Sequence, residues 1–496
     1  MSPDKKSGNV EFENGLDPNR WKALSVIAIA SLMVVLDASI VNIALPQAQK
    51  ALHISNANRQ WVVTAYSLAF GSLLLFGGRL SDFIGRKRIF MIGLGGFALA
   101  SAIGGLSQTS GELFAARAVQ GAFGALLAPA ALSLISVTFT LPKERAKAFG
   151  VYGAISGGGA AIGLIMGGLL TEYANWRWCL LVNTPIALIA ILLAIPNIRE
   201  SRAQGDRSYD IPGTIISSLG LVSLVYGCAQ AATHSWGNIH TYIYFIISAV
   251  LLAIFAAVEK KTSHPLLPLR IFTERNRGGS YLSAFLVGAG LFAIFLFLSI
   301  YFQQFLGYSS LRSGFAFLPF SGGIIAFAGV ASQLLPKIGP RPLMTTGLLA
   351  GVVGLWLFSH LTPHSHYLTQ ILPAMLVTSS GLALFFIPSA GTGLHNTGEH
   401  DTGVASAVLN TSQQIGGSLG AALLNTVALS STTAFFASHI AQNGNGSVAN
   451  AIASVHGFDV AFLVGAAFLL VAAVVSFLFI NVGKDALVEN PSGAMI

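Results

Sequence analysis

Cysteine is nearly missing from this chain: 496 residues hold two, Cys179 and Cys228, both within or at the ends of apolar runs. That excludes a disulfide framework and a thiolate metal cage, and leaves the two thiols as small core residues. Charge is scarce too, at 9% of residues, against roughly 25% in a typical soluble domain. No G-x-x-x-x-G-K-[ST] stretch occurs, so the chain carries no P-loop and is not itself an ATP-driven pump. The nearest match to a hydrolase elbow, "GGSLG" at 416–420, lies inside a helical run with no strand before it. Enzymatic catalysis is therefore not expected. The 11 histidines sit mostly in loops or at span ends and form no convincing metal pair.

What is abundant is apolar side chains, 53% of the residues, in runs of span length from end to end. The fold class expected is an all-α integral membrane protein with 14 transmembrane helices. Apolar windows and breakers place them at 22–44, 60–78, 88–107, 112–139, 146–171, 177–196, 211–231, 241–258, 279–304, 313–335, 342–361, 367–391, 403–433 and 458–481. The polar first 20 residues carry no cleavable apolar segment, so the first run reads as a retained span.

The basic residues test this count. With both termini cytoplasmic, all of the 27 Lys and Arg residues fall in cytoplasmic segments except Lys50, Arg59, Arg177 and Arg312 outside and Arg117 within a span. An odd number of spans would break that alternation. The net charge of +8 thus belongs to short loops between spans and predicts no nucleic-acid partner. The stretch 437–457 becomes a polar external loop.

A weak internal repeat adds organisation. "GRLSDFIGRKRIFMIGL" at 78–94 aligns at an offset of 254 with "SQLLPKIGPRPLMTTGL" at 332–348. Both are loops after the second helix of a six-helix set, which predicts two six-helix halves with a helical pair inserted between them. The expected segments are a cytoplasmic tail 1–21, a first half 22–198, the pair with its linker 199–277, a second half 278–482 and a tail 483–496. Such repeats build alternating-access transporters, whose site lies near the midplane between the halves.

Of the 19 acids only Asp37, in "LMVVLDASIVNIALP", lies deep within a predicted span; Glu112, Glu172 and Asp459 sit near predicted ends. A carboxylate there costs roughly 2.5–3.5 kcal/mol or more and usually marks a proton or ion pathway. A buried carboxyl held by a structural hydrogen bond is the competing explanation. Arg117 is the other intramembrane charge, at a compatible depth, with Gln120 on the same face at i+3. An Arg near a carboxylate favours its ionised form while apolar burial favours the neutral one, so a moving Arg or an arriving substrate could tip the proton on or off. An Arg that snorkels to water is the alternative. In the loop at 78–88, Asp82 among Arg79, Arg86, Lys87 and Arg88 can form a charge cluster and cap a helix N-terminus, or the loop can be topogenic alone.

At these residues the sequence resembles the major facilitator superfamily, and within it the fourteen-helix drug:proton antiporters. "LDASIVNIALP" resembles that branch's first-helix motif, with Asp37 at the membrane-embedded acid. "RAVQG" is similar to the fourth-helix motif at Arg117 and Gln120. "GRLSDFIGRKR" resembles the superfamily loop motif at Gly78, Asp82, Gly85, Arg86, Lys87 and Arg88, with Phe83 where a basic residue is usual. By resemblance, Asp82 would lock one conformation against the helix beginning near Gly403. "WRWCLLVNTP" at 176–185 and "ASAVLNTSQQIGGSLGAALLNT" at 405–426 also look like this branch. "GAISGGGAAIGLIMGG" at 153–168 occupies the place of the antiporter-helix signature, keeping Gly153, Gly157, Gly163 and Gly167 but carrying Ala160 and Leu164 where proline is frequent. Those glycines allow close helix approach whether or not they carry directionality.

The function expected is proton-coupled antiport exporting hydrophobic or amphipathic drugs and biocides, driven by the proton gradient with no cofactor and no bound metal. A transporter of one defined metabolite or peptide on the same scaffold is the alternative. Expected partners are protons, amphipathic small molecules and the lipid bilayer, with the protein acting as a monomer in a bacterial cytoplasmic membrane. Phe285, Phe292, Phe295, Phe297, Tyr301 and Phe302 fit either a greasy pocket or plain lipid-facing helix.

Overall fold

In lipid every backbone polar group must be satisfied within its own segment, so apolar runs of this length fold as helices. The computed structural model describes residues 17–202, 210–234, 236–262, 270–395, 402–443 and 446–483. Among them the regular elements are all helical. The first six spans are α1 (Arg20–Ala51), α2 (Trp61–Ile84), α3 (Arg86–Leu106), α4 (Ser110–Thr138), α5 (Pro142–Tyr173) and the pair α6 (Trp178–Leu181) and α7 (Asn183–Asn197). Then come α8 (Ile211–His234), α9 (Ile239–Lys261) and the short α10 (Arg270–Thr273). The last spans are α11 (Arg275–Gln304), α12 (Ser310–Ala316) with α13 (Leu318–Ile338), α14 (Pro340–Phe358), α15 (Leu372–Gly393) after a π-helical turn at Tyr367–Ile371, α16 (Thr402–Asn443) and α17 (Gly446–Phe479). Among the described residues, eleven stretches are long and apolar enough to cross a bilayer. The shorter apolar helices Trp61–Leu74, Gly159–Tyr173 and Pro212–Cys228 take the remaining places, which accounts for the fourteen spans expected.

Three boundaries differ from expectation. The sixth and tenth spans are broken, at Val182 and at Phe317, into α6 with α7 and α12 with α13. The segment 437–457 is no loop: α16 runs on to Asn443 and α17 begins at Gly446. Its polar residues hide an alanine-rich helical pattern in which Ala449 and Ala453, four residues apart, are buried. Phe435 of α16 packs on His456 of α17 with ring centroids 4.3 Å apart. At 42 residues, α16 is about 63 Å long against a hydrocarbon core of roughly 30 Å. This hairpin therefore stands out beyond the face opposite the two ends of the described chain. We call these the far face and the terminal face.

The repeat has a structural counterpart. Gly85, between α2 and α3, has φ +125°, and Gly339, between α13 and α14, has φ +82°. They lie 254 residues apart, the offset read from the sequence, and each turns the chain in a region that only glycine enters freely.

Close packing of α5 on α1 positions the first acid. A side chain at Gly163 would meet Leu36 O at 2.9 Å and collide with Ser39 Oγ, and one at Gly167 would meet Ile40 O at 3.0 Å. Two of the four expected packing glycines thus lie directly on the acid-bearing helix. Gly153 and Gly157 are in α5, but their surroundings fall outside the described residues. The pair α8 and α9 lies at the seam between first and last spans, where Val225 and Cys228 pack with Leu68 of α2 and Ala422 of α16.

Candidate functional site

Asp37 sits 17 residues into α1 and 14 before its end, about 26 and 21 Å from the two ends. It is completely buried, as are Ser101, Arg117, Gln120 and Asn183. Burying a carboxylate unpaired would cost several kcal/mol, so its partners decide whether the site is stable. Arg117 Nη1 donates to Asp37 Oδ2 at 2.6 Å, and also to Gln120 Oε1 at 2.7 Å. Gln120 Nε2 donates to Asp37 Oδ1 at 2.8 Å and Asn183 Nδ2 donates to the same oxygen at 2.7 Å. Charge-assisted bonds of this length are the strong ones.

The Arg117 guanidinium is itself anchored. Its Nε donates to Val62 O at 3.0 Å, and its charge lies 4.5 Å from the centroid of the Tyr66 ring. An Arg held by a helix carbonyl and an aromatic face is pinned inside the protein, so the snorkelling alternative does not describe it. Two polar atoms of the cluster are buried without a hydrogen-bond partner, Arg117 Nη2 and Asn183 Oδ1.

Asp37, Arg117 and Gln120 are therefore brought together as the sequence suggested. Ser101 of α3 and Asn183 of α7 were missed. Ser101 Oγ accepts from Gln120 Nε2 at 3.1 Å and from Asn183 Nδ2 at 3.0 Å. Asn183 stands in "WRWCLLVNTP", a stretch already singled out, but nothing in its spacing points at Asp37. The helix break at Val182 makes Asn183 the first residue of α7. Its place at a helix start beside α1 is a tertiary fact.

Glu200 completes the loop after α2. Gly85 ends α2, and the acid that meets the new helix is Glu200. It accepts from Lys87 N and Arg88 N, both at 3.2 Å, satisfying donors that the start of α3 would leave orphaned. Arg86 N donates to Ser201 O at 2.9 Å, and Lys87 Nζ reaches Ile195 O at 2.7 Å. Gly85 is required twice, by its positive φ and because a Cβ there would stand 2.5 Å from Glu200 Oε1. Gly78 faces α4, with Pro129 Cβ at 3.5 Å from the position of a side chain. Asp82 lies in α2 and Gly403 in the first turn of α16, but the side chain of Asp82 and the surroundings of Gly403 fall outside the described residues.

In the last spans, the aromatic row of α11 is largely core. Phe297, Tyr301 and Phe302 are buried, Phe297 stacks on Phe458 at 5.0 Å, and Phe302 meets Phe317 at 5.2 Å. Asp459 follows Phe458, whose ring lies 5.9 Å from the Arg59 guanidinium in the turn between α1 and α2. It is 13 residues inside α17 because that helix begins at Gly446, and its Oδ1 is buried without a partner.

Comparison with known proteins agrees with this architecture. The family profile of the Major Facilitator Superfamily matches residues 27–421. The puromycin resistance protein pur8 of Streptomyces alboniger is 46% identical over 484 residues, 97% of this chain and 95% of that protein. The cephamycin export protein CmcT of Amycolatopsis lactamdurans is 37% identical, over 83% of this chain and 85% of its own length. Among solved structures, a bacterial homologue of the human lysosomal transporter Spinster, inward-facing and unoccupied, matches the fold with TM-score 0.65 at 17% identity, covering 96% of this chain and 99% of that one.

Proposed function

Because this chain belongs to the major facilitator superfamily, as a transporter related to antibiotic-resistance exporters, we propose that it exports amphipathic, drug-like compounds in exchange for protons, with Asp37 as the proton carrier. The observation that carries the reading is the Asp37 cluster: a completely buried carboxylate, near mid-helix, facing a buried Arg. Such a group is expensive in a membrane protein and its usual return is an ion or proton pathway. Arg117 and Gln120 hold the charged form, and displacement of Arg117 by substrate or by helix movement would let the carboxylate take up a proton.

Alternating access between two six-helix halves, 22–198 and 278–482, with the pair in 199–277 at their seam, supplies the movement. The close approach of α5 to α1 at Gly163 and Gly167 lets it couple to the acid. The concentration of Lys and Arg at the terminal face supports cytoplasmic termini in a bacterial membrane. Puromycin and cephamycin, named in the two relatives, head the list of compounds to try.

The test is reconstitution in proteoliposomes with an imposed pH gradient, using Asp37→Asn. Loss of gradient-driven transport with normal expression and folding is the expected result. Undiminished gradient-driven transport would remove Asp37 from the role. A growth-inhibition panel in an efflux-deficient host separates multidrug export from transport of one metabolite, since only the former protects against several unrelated compounds.

A further inference from the structure

The direction of both amide hydrogen bonds to Asp37 is fixed by one serine. Ser101 Oγ donates its single proton to Leu180 O at 2.8 Å, a carbonyl that can only accept. Toward Gln120 and Asn183 it can then only accept, so both side-chain amides present their nitrogens to it. The same two nitrogens give their other protons to Asp37 Oδ1. With Arg117 on Oδ2, the carboxylate is met by donors alone. That arrangement suits an ionised Asp37 and leaves a protonated one with no acceptor for its hydroxyl. Gln120 Oε1 is already held by Arg117 Nη1. The acceptor in reserve is Asn183 Oδ1, buried and without a partner.

We propose that Asn183 is the positioning residue that reads the protonation state of Asp37, by turning over its side-chain amide. While Asp37 is charged, Nδ2 bridges Asp37 and Ser101 and Oδ1 is idle. When the proton arrives, the amide rotates and Oδ1 accepts the Asp37 hydroxyl. The bond from Asn183 to Ser101 is lost in the same event, so the proton loosens α7 from α3 as well as Asp37 from Arg117. This gives α7 a share in the coupling that otherwise belongs to α1 and α4. The inference rests on the reading of Asp37 as proton carrier.

The other groups around Asp37 do not offer this acceptor. Arg117 from α4 is a cation with no lone pair to give. Tyr66 from α2, within range of the Asp37 charge, turns its ring face to Arg117, and its unpartnered hydroxyl lies against Gly124 of α4. Cys179 from α6, also within that range, is engaged with Thr171 Oγ1 at 3.2 Å. From α5 the neighbour of this stretch of α1 is Gly163, and from α11 it is Ser299, whose hydroxyl goes to Asn42 O at 2.6 Å.

The experiment needs no substrate. The infrared C=O band of the protonated carboxyl, assigned by its disappearance in Asp37→Asn, is titrated in the full-length protein, and its pH midpoint compared among variants. Asn183→Leu removes a donor to the ionised form and should move the midpoint up by about one pH unit, a tenfold change in proton binding. Ser101→Ala removes the acceptor that orients the amide and should move it the same way by less. Thr184→Val breaks the neighbouring tie from α7 to α3, Thr184 Oγ1 to Ala98 O at 3.3 Å, and should leave the midpoint alone. A purely structural role for Asn183 predicts equal effects from Asn183→Leu and Thr184→Val. An unchanged midpoint in Asn183→Leu overturns the proposal, and if that variant does not fold, an unchanged midpoint in Ser101→Ala does so. A wild-type band that never titrates refutes the Asp37 reading itself, which separates the two failures.

Discussion

Arg59, in the turn between α1 and α2, is buried against the last spans with its Nε donating to Asn425 Oδ1 of α16 at 3.0 Å. Asn425 returns the contact through Nδ2 to Gln60 Oε1 at 2.8 Å and to Asn56 O at 3.0 Å. The guanidinium also lies about 6 Å from the rings of Phe297 and Phe458, with centroid distances of 6.0 and 5.9 Å. Burial pulls its pKa down to about 10, so it remains charged at neutral pH. No carboxylate pairs with it among the described residues. Gln303 Nε2 on Ile43 O at 3.1 Å and Leu311 N on Glu172 Oε2 at 2.8 Å lie toward the same end. The first and last spans are thus tied together at the far face, and Arg59 is the charged member of the tie.

Opening toward the far face has to break that tie. A hydrogen bond to a charged group contributes about 1.5–3 kcal/mol, and each 1.4 kcal/mol is tenfold in a population. Arg59→Ala and Asn425→Ala should each raise the far-face-open population about tenfold or more. A reporter cysteine at Ala44, with Cys179 and Cys228 replaced by serine, measures this by its labelling rate with an impermeant maleimide. Equal labelling in wild type and Arg59→Ala would reduce the contact to local packing.

Arg117→Lys should fail almost as badly as Arg117→Ala. The guanidinium uses Nε for Val62 O and Nη1 for both Asp37 and Gln120, a forked geometry that an ammonium cannot reproduce at one point. Losing one partner of a buried pair costs about 3–5 kcal/mol, so the Ala variant should also be less stable while the Lys variant keeps the charge. Gradient-driven transport together with a thermal melt distinguishes them. Full transport by the Lys variant would show that charge alone suffices.

Asp37, Arg117 and Gln120 were legible because a charge inside an apolar run is conspicuous and i, i+3 spacing places Gln120 beside Arg117. Ser101 and Asn183 were not, since neutral polar residues are common in spans and their aim depends on how three other helices pack. Glu200 hid in "RESRAQGDR", where an acid among basic residues reads as loop chemistry, while its work is to cap α3. The start of α17 was hidden by the polar composition of 437–457. The span count survived because it rests on hydrophobic length and on the distribution of Lys and Arg, neither of which needs tertiary contacts.

The α1–α5 contact should be intolerant of bulk in a position-specific way. Gly163→Val would drive a branched side chain into Ser39 and Leu36, either forcing α5 off α1 or straining both, at about 1–3 kcal/mol. Gly95→Ala in α3, where nothing lies within 4 Å of the added carbon, should be neutral or slightly stabilising. Thermal midpoints of the purified variants check both. A Gly163→Val protein as stable as Gly95→Ala would mean that the helices slide freely.

At the terminal face, Arg20 grips Glu144 through Nε at 2.7 Å and Nη2 at 3.1 Å, tying the start of α1 to the start of α5. These bonds hold the Glu144 carboxyl below the usual range. A depressed carboxyl binds fewer protons in the folded state than in the unfolded one, so its contribution to stability is present above the ordinary value of about 4.3 and is lost as pH falls through the lower folded value. The pair is exposed enough to water that the effect should be modest and reduced by salt. Wild type should melt above Glu144→Gln by a constant margin from neutral pH down to the ordinary carboxylate range, and the margin should close on further acidification. A margin that stayed flat across the acid range would show that the Gln variant loses packing rather than charge, and that the fork to Arg20 contributes nothing that protonation can remove.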